Sequence, residues 1–207
     1  MESILMLLLG WSLGILSPSI TNKIQEKKKA KNIKQSILNE ADEFRITMAA
    51  VLYQIKQRAN SIDHELINFL LPIYKKYSGI KQVNNVMHGL EKMQKMDSEQ
   101  LSKMQQNSGI YDSLSLKKYD LPYLKTKVHE ISVLENEFQR KTLEFLFLLD
   151  TFNEKVEESR FFYKLTFDGS ISDDNHHIAS AELENSYSNV SEQAKLILMK
   201  INALLET

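Results

Sequence analysis

The stretch LENSYSNVSEQAKLILMKINALL, residues 183–205, decides the fold. Its apolar positions Leu183, Tyr187, Val190, Ala194, Ile197, Ile201 and Leu204 alternate spacings of four and three without a break. That rhythm keeps all of them on one face of a helix lying at a shallow angle along another helix. We therefore read Leu183, Tyr187, Val190, Ile197, Ile201 and Leu204 as a helix-association seam, carried by a final helix that starts after Asp173-Asp174-Asn175.

The same rhythm recurs upstream. Leu121-Pro122 has the form of a helix start, since proline suits the first helical position. From there Leu124, Val128, Ile131, Phe138, Phe145, Leu149, Phe152 and Val156 predict one long helix. Phe145–Leu149 is apolar all round and bracketed by Glu144 and Asp150, which reads as a central bundle position, with a partner groove as the alternative. Phe161–Phe167, running into Asp168-Gly169, is expected to fray into an extended segment. Nearer the N-terminus, Ile37, Ala41, Phe44, Met48, Val51 and Ile55 predict another long helix. Asn60-Ser61-Ile62-Asp63 supplies a cap for a second one, kinked at Pro72 and ended by Ser78-Gly79. Ile80–Gln106 continues as a polar helical stretch that Asp97-Ser98-Glu99-Gln100 recaps midway. The fold class expected is all-α: about four to five long helices in an antiparallel, coiled-coil-like bundle over residues 35–207, with loops near 78–79, 107–120 and 168–175.

Composition agrees. Only six Gly and three Pro interrupt 207 residues, so long elements are expected and a turn-rich β-sandwich is not. Zero Cys excludes disulfides, thiolate metal sites and cysteine nucleophiles. The net charge of −1 conceals a strong asymmetry. After Glu2, residues 3–22 carry no charged side chain; residues 23–34 hold Lys23, Lys27, Lys28, Lys29, Lys31 and Lys34 against Glu26 alone; residues 35–207 have 20 basic and 25 acidic groups.

Ser3–Ile20 would reach about 27 Å as a helix, close to the roughly 30 Å of a bilayer's hydrocarbon core. A cleaved signal needs a positive n-region and a cleavage site, whereas this segment opens Met-Glu-Ser and runs into lysines. A soluble core helix needs a polar face, and Ile4–Leu16 has none. Residues 1–22 are accordingly expected to form a single transmembrane or membrane-inserted anchor, followed by a basic juxtamembrane segment at 23–34 that meets lipid headgroups and holds the bulk of the chain in the cytoplasm, N-terminus out. Gly10 and Gly14, extended by Ser17, form a smooth stripe on which two anchors can approach. Ser17-Pro18 either begins a new helix or kinks a continuous one.

Chemistry is nearly absent. No His follows a Glu at the spacing of bundle metal sites, and His129-Glu130 lacks the second His of a zincin. Asp173-Asp174-Asn175-His176-His177 reads as a helix start rather than as ligands, so no metal and no cofactor are expected. Scattered glycines build no phosphate loop, there is no nucleophile elbow, and the basic segment lacks the aromatic residues a nucleic-acid surface uses. The expected function is non-enzymatic. It is membrane-anchored association at the cytoplasmic face, with lipid, further copies of the chain and an unidentified protein as partners and no nucleic acid. The alternative is a membrane-perturbing effector, a small bacterial toxin or phage-defence protein, whose anchors gather in the bilayer.

Overall fold

The computed structural model describes residues 2–107 and 114–207, apart from the side chains of residues 2–5, 7–19 and 106–107. Among them are α1 (Glu2–Arg58), α2 (His64–Lys76), α3 (Lys81–Gln94), α4 (Ser98–Asn107), α5 (Pro122–Lys127), α6 (Asn136–Leu165) and α7 (Asp173–Leu205). A 3-10 helix occupies Val128–Val133, and no strand occurs among the described residues. The molecule is all-α, but three long helices rather than four or five carry it, with 57, 30 and 33 residues in α1, α6 and α7.

α6 and α7 form an antiparallel hairpin, and α1 lies along it, parallel to α6. Three contacts set this register. Lys34 Nζ sits 5.0 Å from the Phe138 ring centre at one end, Phe44 and Phe145 are 6.1 Å apart in the middle, and Arg58 grips Glu184 at the other end. The four-three positions of all three helices turn inward. Phe138, Phe145 and Phe152, seven residues apart, are fully buried, as are Ile37, Met48, Val190, Ala194, Ile197 and Ile201. The helix pair α2 and α3 is joined to this trio mainly by α2 against α1, with Leu66, Ile67, Leu70 and Ile73 buried.

Caps act where the sequence placed two of them. Asp63 Oδ1 accepts the Leu66 amide at 2.7 Å and starts α2. Asp97 and Gln100 form a reciprocal capping box at 2.8 and 3.1 Å, splitting the Ile80–Gln106 stretch into α3 and α4. α2 continues through Pro72 to Lys76.

Three local expectations need correction. The helix opened by Pro122 is not continuous to Val156. α5 ends at Lys127, the β-branched run Val128, Ile131 and Val133 winds as a 3-10 turn, and Leu134 is extended before α6 begins. Gln139 Nε2 donates to the Leu134 carbonyl at 2.7 Å, satisfying a group that the interrupted helix leaves open. Phe161–Leu165 is helical and not extended; Phe162 and Tyr163 lean on the core and Thr166 closes the last turn by donating to the Phe162 carbonyl. α7 starts at Asp173 itself, capped by Ser172, so Asp173 and Asp174 fill the first turn, where the helix dipole favours negative charge.

The connection from residue 114 to α5 is fixed by side chains. The Asn153 amide pairs with both backbone groups of Tyr119 at 2.9 and 2.8 Å, and Tyr187 Oη donates to the Leu114 carbonyl at 2.6 Å. Gln105 pins Ile62 in the same two-sided way, at 3.0 and 2.8 Å, tying α4 to the turn between α1 and α2. The part of the expected 107–120 loop at 108–113 lies outside the described residues.

Candidate membrane-proximal site

α1 joins the three segments expected at the N-terminus into one element. It runs unbroken from Glu2 through Pro18 to Arg58, about 85 Å of helix at 1.5 Å per residue. The new-helix reading at Ser17-Pro18 is thus replaced by continuity. Residues 20–29 are exposed on every side, and the first buried residue among those described is Ile33. The helix therefore leaves the bundle as a stalk about 20 Å long between Ile20 and Ile33.

Five of the six lysines of residues 23–34 stand exposed on that stalk, and Lys34 is partly buried at its base. Lys23, Lys27, Lys28 and Lys31 fall within an arc of roughly 140° on a helical wheel and make no ion pair among the described residues. Lys29 and Lys34 are engaged instead. Lys29 Nζ lies 2.8 Å from Glu130 Oε2, and Lys34 covers the Phe138 ring and reaches the Thr207 carbonyl at 3.4 Å. Sequence reading treated the six as one lipid-facing group; the structure separates four free cations from two that brace the stalk.

Glu130 is the anchor point of that brace. Its carboxylate takes Lys127 Nζ at 2.6 Å on one oxygen and Lys29 on the other. The hydrogen bond from Lys127, then that from Lys29, hold it at about 2, far below the ordinary carboxylate range. A second brace lies deeper. Glu40 accepts the Tyr123 and Leu124 amides at 2.9 and 2.8 Å, so a side chain of α1 caps α5 across the fold. Glu40 carries no signal in the sequence, and Glu130 enters it only through the incomplete His129-Glu130 motif. Lys29 lies roughly 100 positions from Glu130 and Tyr123 roughly 80 from Glu40, and no local pattern encodes either contact.

Gly10, Gly14 and Ser17, the expected dimer stripe, belong to residues 7–19 and lie outside the described side chains, as does most of the apolar segment. Among the described residues, no helix is long and apolar enough to cross a membrane. The six seam positions of α7 are placed plainly: all are buried, Leu183 and Tyr187 included, and Val190, Ile197, Ile201 and Leu204 are completely so. They associate helices within one chain and offer no surface to another. The Phe145–Leu149 run also divides, with Phe145 and Leu149 in the core and Phe147 70% exposed.

The remaining polar clusters look structural. Asp42 joins Lys76 at 2.9 Å and Arg45 at 2.9 Å, while Tyr77 Oη donates to the Asp42 carbonyl at 2.6 Å. Burial alone would raise the Asp42 carboxyl, but hydrogen bonds from Lys76 and Tyr77 and the Arg45 charge hold it below its usual range. An open cleft of about 460 Å³ beside Arg45, Asn68, Phe69, Pro72, Lys76 and Asn202 has both of its cations already ion-paired with Asp42. Arg58 forms a bidentate pair with Glu184 at 2.8 and 2.9 Å and stacks on Tyr187. Among the described residues no cluster of His, Asp or Glu is arranged to hold a metal. The chain matches no protein-family model, no curated protein and no solved structure.

Proposed function

We infer that this chain is a single-pass, membrane-anchored, non-enzymatic helical protein whose bundle stands on the cytoplasmic side and acts by association with other copies or a protein partner. The observation that carries the reading is the continuity of α1. One helix holds an uncharged apolar stretch at 3–20, exposed lysines at 23–31 and the packing face of the bundle from Ile33 onward. Free lysines just beyond an apolar segment are drawn to anionic headgroups by about 1 kcal/mol each, and they resist translocation. Because no break intervenes, a tilt or rotation of the anchor turns the bundle with it, which suits a protein that reports or gathers at a membrane.

The test is fractionation of the full chain expressed in bacteria. The chain is expected in the membrane pellet after alkaline carbonate extraction and to be released only by detergent. Replacing Leu7, Leu8 and Leu9 with Asp is expected to move the folded bundle to the supernatant. Recovery of the unaltered chain in the carbonate supernatant would overturn the reading.

A further inference from the structure

The outer face of α6 carries a stripe that no other described residue covers. Asn136, Arg140, Leu143, Phe147, Asp150 and Glu154 repeat the four-three rhythm on the side opposite the core, and all six are exposed. Phe147 is 70% and Leu143 48% exposed at its centre, an unusual pair to leave in water on a helix whose inner face is already fully packed. Arg140 has only the neighbouring Glu144 of its own helix, and Asp150 has no ion pair among the described residues.

We propose that this stripe docks on the same stripe of a second copy, with the two α6 helices antiparallel and centred at Phe145. The charges choose both the occupant and the direction. Antiparallel pairing about that point sets Phe147 on the partner's Leu143 and Arg140 on the partner's Asp150, and the two-fold axis makes each contact twice. Parallel pairing would stack arginine on arginine and aspartate on aspartate, which like-charge repulsion disfavours.

The contact stands on α6 alone, while its consequence for membranes rests on the anchored reading above. Because α6 runs parallel to α1, two chains paired in this way send their stalks out of opposite ends. Phe145 packs beside Phe44, 24 residues from Ile20, so the two membrane-entry points lie roughly 70 Å apart. Such a pair joins two bilayer surfaces instead of lying side by side in one.

The chain has no native cysteine, so crosslinking reads the geometry directly. Full chains carrying Asn136→Cys or Glu154→Cys, distinguished by tag size, are co-expressed, extracted in detergent and oxidised. The heterodisulfide is expected, because these positions face each other. Homodisulfides are not, since identical positions lie about 27 Å apart along the antiparallel pair. R140D or D150R alone is expected to lower the heterodisulfide yield about tenfold by turning two attractions into repulsions, and R140D with D150R to restore it. Predominant homodisulfides, absence of the heterodisulfide, or a double variant that does not recover would overturn the proposal. Membrane association is scored separately by carbonate extraction, so crosslinking that persists in a chain found soluble removes the anchor reading and leaves this contact standing.

Discussion

Glu130 shows how one side chain sets the base of the stalk. Its folded value of about 2 lies below the ordinary 4.5, so the stabilisation it brings is complete above pH 4.5 and is lost as pH falls from there toward 2. In thermal melts followed by circular dichroism, the wild type is expected to lose midpoint temperature over that window and Glu130→Gln to lose less; superimposable pH profiles would show that the brace contributes nothing. Glu40 acts on neutral groups, holding two α5 amides that would otherwise be buried without acceptors. Glu40→Ala is expected to cost about 1–2 kcal/mol in urea unfolding, with Glu40→Gln recovering part of it. Tyr74 points the other way. Its hydroxyl is buried with no hydrogen-bond partner among the described residues, and burial raises its phenol well above the ordinary range. Tyr74→Phe is therefore expected to be neutral or stabilising by up to about 1 kcal/mol, and a clear loss of stability would mean that the hydroxyl is engaged.

The elements divide into those with local signals and those set by distant partners. The seams of α1 and α7 and the caps at Asp63 and Asp97 are legible because each depends on residues within two turns of one another. The 3-10 break at Val128–Val133 is not. Its apolar positions keep helical spacing, and the interruption is held by Glu40, Lys29 and Gln139, two of which belong to α1. The outer stripe of α6 was hidden differently, because Phe147 sits inside an apolar run whose other members face the core. Asn153 offers a measurement at this scale. Asn153→Asp keeps an acceptor for the Tyr119 amide but removes the donor to its carbonyl, so a loss of about 1–2 kcal/mol is expected, against about 3–5 kcal/mol for Phe152→Ala one position away. No loss for Asn153→Asp would mean that the 114–121 connection is held by burial and not by that amide.

At the scale of the whole molecule, charge and helix continuity point the same way. The bundle is net acidic, the stalk is basic and the segment before it is uncharged, and a single helix threads all three. Replacing Lys23, Lys27, Lys28 and Lys31 with Gln is expected to leave the melting temperature unchanged, since none forms an ion pair among the described residues, while producing a mixed membrane orientation. The central claim is tested most directly by impermeant maleimide labelling of single cysteines in intact cells. Ser3→Cys is expected to label from outside, and Ser102→Cys, exposed on α4, is expected to label only after lysis. Labelling of Ser102→Cys in intact cells would contradict the account.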